Sequence, residues 1–304
     1  MKIKVWGARG SIPAPGPETM RYGGNTSCVE VTLDDGTTLI LDAGTGIRNL
    51  GLVLPRVERP IHILLTHLHL DHIQGLMFFA PAFRPESEIF IWGPASPEAS
   101  LQDRIARYIS APLAPVEVRE LPSLVFREAE PMEWRIGSAR IMAQAVTHRG
   151  PTLGYRIEEG DTTLTYIPDH EPGLGAPIAD LEDEWISGFE LAHGASLLIH
   201  DCQYTDEEYP SYIGWGHTPM SDALAFARRT SAERLLLFHH DPLHSDDFLD
   251  TFGAEVAVRW EELGGCQGSV KLAAERLEIE VEAAPPPLAV ATATRGGRNG
   301  SRQA

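Results

Sequence analysis

Four side chains that can bind a metal fall within six residues of the segment LLTHLHLDHIQG, residues 64–75. They are His67, His69, Asp71 and His72. Neutral imidazole and carboxylate are ligands that zinc and other divalent first-row metals accept in proteins. Because side chains at positions i and i+2 of an extended chain point to the same side, His67 and His69 can face one ion. The segment therefore predicts a metal centre. The alternative is a polar turn that happens to contain three histidines.

The order of these residues also resembles a known family. HxHxDH after an apolar strand is similar to the metallo-β-lactamase superfamily, and that resemblance implies further ligands at the ends of later strands. His148 ends MAQAVTH, Asp169 ends LTYIPD, and His239 ends RLLLFH, while Asp42 in LILDAGTG matches an early structural aspartate. The resemblance extends over roughly residues 1–280.

The resemblance implies an α/β fold, a four-layer αββα sandwich with a two-metal site at one edge of its sheets. One metal would be held by His67, His69 and His148, and the other by Asp71, His72 and His239, with Asp169 and a hydroxide bridging the two. His240 is the alternative to His239, which we favour because it directly follows the apolar strand. The two divalent ions are expected to be Zn²⁺, with Mn²⁺ and Fe²⁺ as alternatives.

A second pair of residues indicates which branch of the superfamily the chain resembles. SLLIHDC places Asp201 at a strand end, and GWGHTPMSDALAFA places His217 just before a helix. Branches of the superfamily that cut phosphodiesters have a similar pair. The resemblance implies that His217 protonates the departing sugar oxygen, that Asp201 orients it, and that Asp71 belongs to the catalytic set. A turn acid and an ordinary helix-start histidine are the structural alternatives.

Several segments, HRGPTLGYRIE, TYIPDHEPGLG and LIHDCQY, resemble phosphodiesterases that act on cyclic nucleotides or on phosphoribosyl cyclic phosphates. The tRNA 3′-processing endonucleases are a more distant resemblance, and no insertion here matches their long, often basic arm. The scattered cysteines, Cys28, Cys202 and Cys266, cannot form the cysteine-rich zinc site of the phosphoribosyl enzymes. These departures favour a small cyclic phosphate, above all a 3′,5′-cyclic nucleotide, as the substrate.

Charge affects the choice of partner. The chain has 25 Lys and Arg against 43 Asp and Glu, a net charge of -18. Binding to nucleic acid is driven largely by basic residues that release phosphate counterions. The sequence therefore predicts that an extended nucleic acid is not the partner, although a local positive site such as a metal can still hold an anion.

The predicted function is a metal-dependent phosphodiesterase in which a metal-bound hydroxide attacks the phosphorus of a small cyclic phosphate. Three alternatives stay open at this point. One is an RNA 3′-end endonuclease, and another is a lactone or thioester hydrolase, which would not need Asp201 and His217. The third is a non-catalytic interaction protein, for which loss of ligands would be expected.

The Gly-rich segments 7–13 and 22–28 lie between predicted strands. Such loops let a ligand approach the backbone closely. Arg9, Ser11, Asn25 and Thr26 could therefore face the substrate phosphate, and ordinary tight turns are the equal alternative.

The elements that must position these residues are short strands and intervening helices. Ten β-like runs begin near residues 2, 27, 37, 61, 88, 139, 152, 162, 196 and 234, and helical patterns cover about 97–110, 179–193, 219–231 and 246–264. Thr218 is the expected N-cap and Pro219 the expected first residue of the third helix. Strands that first form hairpins and then alternate with helices predict packed sheets covered by helices.

We predict one hydrolase domain over residues 1–282 and a disordered tail over 283–304, because the Pro, Gly, Ala and Arg content of the tail cannot bury a core. No stretch approaches the roughly 18 consecutive apolar residues of a membrane span, and the first residues lack the apolar core of a secretory signal. We expect a cytoplasmic protein without a membrane partner, and the resemblance suggests a homodimer.

Overall fold

A computed structural model describes residues 1–55 and 59–282 of the chain. The predicted tail at 283–304 lies outside the described residues. Within the described ranges the chain forms two seven-stranded sheets. Its strands are β1 (Lys2–Gly7), β2 (Cys28–Thr32), β3 (Thr38–Leu41), β4 (Ile61–Leu64), β5 (Ile89–Pro94), β6 (Leu124–Ala129), β7 (Met132–Ile136), β8 (Ala139–Ala145), β9 (Leu153–Glu159), β10 (Thr162–Ile167), β11 (Leu197–Asp201), β12 (Leu235–Phe238), β13 (Val270–Leu272) and β14 (Glu278–Glu280).

Both sheets are mixed and are built alike. The first has the order β14-β1-β2-β3-β4-β5-β6, and the second has the order β13-β12-β11-β10-β9-β8-β7. In the first sheet, β3 to β6 pair in parallel and the others are antiparallel. In the second, β10 to β13 are parallel and β7 to β10 are antiparallel. The parallel strands of each sheet therefore end at one edge, where loops can carry a site.

The helices are α1 (Gly46–Val53), α2 (Leu70–Ile73), α3 (Leu101–Ala106), α4 (Phe189–Ala192), α5 (Met220–Arg229) and α6 (Asp246–Glu262). Short 3₁₀ segments lie between them at Pro17–Thr19, Leu76–Phe78, Ala80–Phe83, Val118–Glu120, Ile178–Asp180, Asp183–Trp185 and Tyr209–Ser211. Among the described residues, no helix is long and apolar enough to cross a membrane.

Alternation along the strands explains the four layers. On β3, Leu39 and Leu41 belong to the core between the sheets, whereas Ile40 between them belongs to the core under the outer helices of the first sheet. On β11, Ile199 faces the central core and Leu198 faces α5 and α6. Successive side chains of a strand point to opposite faces, so strands that are apolar on both faces need a cover on each side. The predicted αββα sandwich is confirmed.

All ten predicted strands are present, and four strands that the sequence did not indicate, β6, β7, β13 and β14, complete the sheets. The helical patterns were less accurate. The segment 179–193 contains 3₁₀ turns and only the short helix α4, and the third helix begins at Met220 rather than at Pro219. Thr218 does not cap that helix, because its hydroxyl donates to the carbonyl oxygen of His170 instead.

Candidate metal centre

The predicted ligands lie at the C-terminal ends of strands from both sheets. The chain leaves β4 at Leu64, presents His67 and His69 from an extended loop, and then turns into α2 with Asp71 and His72. His148, Asp169 and His239 follow β8, β10 and β12 of the second sheet. The structure thus brings together all seven side chains that the sequence singled out as ligands, from positions up to 172 residues apart (239 minus 67).

The seven side chains form two groups that share Asp169. One group is His67, His69, His148 and Asp169, and the other is Asp71, His72, Asp169 and His239. Within each group, one ligand atom per residue lies within 4.8 Å of the others. Each group takes two residues from the first sheet and two from the second. This grouping is the one that the resemblance implied, with Asp169 between the two groups.

Three of the histidine rings are oriented by hydrogen-bond partners at their Nδ1 atoms. The Nδ1 atom of His72 lies 2.8 Å from Asp42 Oδ2, and that of His67 lies 3.1 Å from the Thr66 hydroxyl. The Nδ1 atom of His148 lies 2.7 Å from the carbonyl oxygen of Gly216. A histidine that binds a metal through one nitrogen commonly donates from the other to such an acceptor, which fixes the tautomer. The Nε2 atoms of these three rings are therefore left to point into the centre.

A test of whether metals suit this site comes from its unpaired atoms. Nε2 of His72 and Oδ1 of Asp169 are buried and have no hydrogen-bond partner among the described residues. Buried polar atoms are paired in the great majority of native structures, so two such atoms within 3.1 Å of each other need an explanation. Both belong to the proposed ligand set. The donor set of imidazoles and carboxylates suits divalent ions such as zinc, so the residues present fit a metal.

Burial and charge set the protonation of the ligands. Burial lowers the pKa of His67 well below its ordinary value, and the pKa values of His69 and His148 shift in the same direction. At His239 burial also acts to lower the pKa, but the charge of Asp169 and the contacts with Asp71 outweigh it and raise the pKa to about 9. Burial would raise the pKa of Asp169, yet the charges of His239 and His72 bring it well below its ordinary value. The carboxylate of Asp169 is thus ionised, as a metal ligand must be.

The structure distinguishes His239 from its neighbour. His239 Nε2 lies 3.1 Å from Asp71 Oδ2 and 3.3 Å from Asp169 Oδ1. His240 turns away, and its Nε2 lies 2.8 Å from the carbonyl oxygen of Ala273. The geometry therefore places His239 in the centre and His240 outside it.

Asp201 and His217 form the predicted pair beside the centre. His217 Nδ1 lies 2.7 Å from Asp201 Oδ2, and the His217 ring stacks on the His239 ring at 4.8 Å between centroids. The Asp201 carboxylate is fully buried and also accepts backbone N–H bonds from His170 and Thr218. The imidazole is thus oriented by a fixed carboxylate and faces the histidines of the centre.

Sequence reasoning missed two residues that support these side chains. Gln203 Oε1 lies 3.0 Å from His239 Nδ1, and Glu171 accepts the N–H of Gly216, whose carbonyl contacts His148. Each stands two residues after a predicted site aspartate, at a strand end. That spacing is the signal by which they could have been found.

The Gly-rich loops turn out to be structural. Arg9 is only 1% exposed, and its guanidinium donates to the carbonyl oxygens of Gly23 and His244. Asn25 donates to Glu275, and Thr26 exchanges hydrogen bonds with the following segment at Thr45. These three side chains are therefore hydrogen-bonded within the fold.

Ser11 is the exception in these loops, because its backbone N–H donates to Asp71 Oδ2 at 2.8 Å.

A cavity of about 640 Å³ opens beside the histidine segment. Its wall includes Leu68, Leu70, Arg107 and Tyr108.

Two packed sheets carry a cluster of histidine and aspartate side chains at their shared edge. The sequence model of a family described as "Beta-lactamase superfamily domain" matches residues 37–240, which is most of the chain. The chain therefore belongs to the beta-lactamase superfamily.

Known proteins with this fold are similar along most of the chain. A ribonuclease Z of Kineococcus radiotolerans is 28% identical over 269 residues, covering 76% of this chain and 82% of that protein. The Bacillus subtilis metallo-β-lactamase fold protein YhfI is 20% identical with a TM-score of 0.65, covering 91% of this chain and 98% of that one. The short form of human tRNase Z is 20% identical with a TM-score of 0.62, covering 93% and 100%. These relatives bear out the predicted superfamily and place the chain among hydrolases.

The prediction that extended nucleic acid is not a partner is wrong in the light of these relatives, because the Kineococcus protein is named as a ribonuclease. The physical reason is that the prediction rested on the net charge of the whole chain. The net charge of -18 sums over the whole chain, whereas a phosphodiester meets only the local field at the site. A cleft lined by one sign of charge focuses field lines, and the net charge of the whole chain does not describe that local field.

Proposed function

We propose that this protein is a metal-dependent phosphodiesterase that cleaves RNA near a 3′ end. The observation that carries the proposal is the two four-residue groups joined at Asp169, with the His217 imidazole stacked beside them on His239. Ribonuclease Z among the relatives supports RNA as the substrate. The small cyclic phosphate that the sequence favoured becomes the comparison substrate.

In this proposal His67, His69, His148 and Asp169 hold one divalent ion, and Asp71, His72, His239 and Asp169 hold the other. Two ions so placed would supply Lewis acidity toward water and toward the phosphoryl oxygens. The ligands themselves are kept in place by hydrogen bonds behind the rings, such as that from His72 to Asp42. Zinc is the proposed metal because of the histidine-rich donor set.

The chain supplies the proton for the leaving group. Because Asp201 binds Nδ1 of His217, the proton for transfer is held at Nε2. His217 is only 8% exposed, so bulk water has little access to that proton. A departing sugar oxygen is a poor leaving group, and its protonation in the transition state is the role for which this pair is placed.

The test is a substrate panel with metal-loaded protein. It contains a precursor tRNA with a 3′ extension, cyclic purine and pyrimidine nucleotides, cyclic ribose phosphate and a homoserine lactone. We expect cleavage of the precursor at its 3′ side to have the highest kcat/KM. Turnover of a cyclic nucleotide or of the lactone without cleavage of RNA would contradict the proposal.

The ligand assignment has its own test. Elemental analysis of the purified protein should give about two metals per chain. Asp169→Ala should lose metal from both groups and most of the RNA cleavage. His193→Ala is the control, because His193 is an exposed histidine outside both groups. An Asp169→Ala protein that keeps both metals and full turnover would show that the assignment is wrong.

A further inference from the structure

An exposed tryptophan stands beside the centre on the segment Tyr209–Gly216, here called the strap, which leads into His217. Trp215 is 54% exposed, although tryptophan is a largely buried residue in most proteins. The next residue, Gly216, touches the centre through its carbonyl, 2.7 Å from His148 Nδ1. Gly216 has a φ of 92°, and a Cβ at this position would meet the His148 ring, so only glycine permits this approach.

The strap is fixed by a single buried carboxylate. Glu171 is 1% exposed, and its Oε1 accepts from the Tyr209 hydroxyl and from the N–H of Gly214, each at 2.8 Å. Its Oε2 accepts from the N–H of Gly216 at 2.8 Å. Hydrogen bonds to an ionised acceptor are about twice as strong as neutral ones. The backbone on both sides of Trp215 is therefore held by the same side chain.

A cation lies over the exposed indole. The Arg149 guanidinium is 5.6 Å from the Trp215 ring centroid, and its Nε donates to the carbonyl oxygen of Gly214 at 3.0 Å. Arg149 directly follows His148 in the chain. The indole and the guanidinium therefore share the rim of the centre, next to one of the proposed ligands.

An aromatic row connects this rim to the proton donor. The rings of Trp215 and Tyr212 meet edge to face with their centroids 5.5 Å apart. The rings of Tyr212 and Tyr204 are stacked with their centroids 4.6 Å apart. Tyr204 in turn meets the edge of His217 at 6.0 Å. The tryptophan is thus continuous with the site rather than a lone apolar residue at the surface.

An aromatic face beside a guanidinium has a known chemical preference. Proteins that take up unpaired nucleotides stack the bases on aromatic side chains and on arginine planes, and arginine also binds the neighbouring phosphate. The geometry points to Trp215 and Arg149 as a stacking platform for the unpaired nucleotide that flanks the scissile phosphodiester. This inference rests on the proposed function, since it takes RNA as the substrate.

The experiment combines substrate and protein changes. The RNA substrate is compared with the same RNA in which the nucleotide on either side of the scissile bond is abasic. For the wild-type holoenzyme, one abasic site should raise KM about five- to hundredfold, the range expected for loss of one base stack. Trp215→Ala should show that loss on intact RNA and no further loss on the abasic RNA. Trp215→Phe should restore part of the affinity, and a melting curve checks that each variant is folded.

Ile213→Ala is the matched control, because Ile213 lies on the same strap and is 52% exposed. It should behave as wild type on both RNAs. Equal sensitivity to the abasic sites in wild type and in Trp215→Ala would overturn the platform, as would insensitivity of the wild type.

The failure of the proposed function has a different signature. In that case the wild-type holoenzyme would cleave none of the RNAs. The platform is then tested by the affinity of the holoenzyme for the same labelled RNAs with an uncleavable linkage at the scissile position, measured by fluorescence anisotropy. Weaker binding of the abasic RNA by wild type, but not by Trp215→Ala, supports the platform. Equal binding of the intact and abasic RNAs by wild type overturns it.

Discussion

His217 lies beside the five histidines of the two four-residue groups without belonging to either group. Its Nδ1 is bound to a carboxylate, that of Asp201, while the rings of His148 and His239 lie 5.1 and 4.8 Å from its own. A proton donor matters in proportion to how poorly the leaving group departs. General acid catalysis is worth about 10²–10⁴-fold for a poor leaving group such as a sugar alkoxide.

His217→Ala should therefore slow RNA cleavage by about 10²–10⁴-fold and spare bis-p-nitrophenyl phosphate, whose phenolate leaves without a proton. Asp201→Asn should show the same pattern more weakly, since it disturbs only the orientation of the ring. Both substrates are measured with metal content determined for each variant.

The contrast is a ligand variant, His69→Ala, which should impair both substrates. Equal damage to both substrates in a fully metallated His217→Ala protein would show that His217 binds the phosphoryl group and does not donate the proton.

His62 gives a prediction about pH and stability. Burial lowers the pKa of this half-buried histidine from 6.5 to about 4, where its ring stacks on Phe90 and accepts from the Trp92 indole N–H at 3.3 Å. Between about pH 6.5 and pH 4 the unfolded chain binds a proton that the folded chain does not, so this residue makes stability fall as the pH falls through that window.

His62→Gln keeps an acceptor for Trp92 and removes the titration. Urea unfolding at pH 7 and at pH 4.5 should therefore show a smaller acid-induced loss of stability in the variant than in the wild type. Equal losses would mean that His62 titrates alike in the folded and unfolded chain.

Residue types at strand ends, together with the resemblance to the superfamily, were sufficient to predict which seven side chains the fold brings together. Hydrogen bonds between distant segments were not predictable in this way. The spacing of Glu171 from Asp169 marks it as a candidate, but its partners Gly214 and Gly216 lie more than 40 residues away and are visible only in the folded chain. Asp42 was expected to be structural, and the partners of its buried carboxylate, Thr66 and His72, appear only in the folded chain.

At the scale of elements, local sequence signals for the ends of helices were only partly reliable, because contacts with distant segments compete with them. Ser245, which the sequence analysis did not single out, caps α6, since its hydroxyl accepts from the N–H of Phe248 at 3.2 Å. Thr218 also carries a hydroxyl, but this hydroxyl donates to the carbonyl oxygen of His170. The Thr218 N–H donates to the Asp201 carboxylate. In the segment 179–193, Gly188 adopts a left-handed φ of 71°, so a helix cannot run through it. Tertiary contacts and a single backbone angle thus overrode local propensity.

The cap on α6 can be tested directly. Ser245→Ala should lower the free energy of unfolding by about 0.5–2 kcal/mol, as loss of an N-cap does. Ser221→Ala is the control, because Ser221 is exposed in the first turn of α5 and its hydroxyl makes no hydrogen bond with any described residue. Urea denaturation measures both, and equal effects would show that the Ser245 hydroxyl does not act as a cap.

At the scale of the whole molecule, the two sheets meet at the proposed ligands. Each four-residue group takes two side chains from each sheet, so an ion in either group would join the two halves of the sandwich. A ligand that binds only the folded state stabilises it by about 2.7 kcal/mol at a free concentration of 100 times its Kd.

Removal of metal with a chelator should therefore lower the melting temperature by several degrees, and added Zn²⁺ should restore it, as scanning fluorimetry can show. Asp169→Ala should abolish most of this response, whereas His193→Ala should retain it. An unchanged melting temperature after verified metal removal would show that the metals do not join the sheets. The single domain over residues 1–282, the homodimer and the cytoplasmic location stay predictions from the sequence.

The two-and-two division also has a consequence for the order of events during synthesis. The segment with His67 to His72 leaves the ribosome first, and His239 follows 167 residues after His72. At about 5–20 residues per second, that gap lasts roughly ten to thirty seconds. Until His148 and Asp169 emerge, 76 and 97 residues after His72, the nascent chain offers each ion only half of its ligands, which favours weak and reversible capture of whatever metal is at hand. Tight loading has to wait until the second sheet has docked, so the choice of metal is made by the finished fold and not by the growing chain.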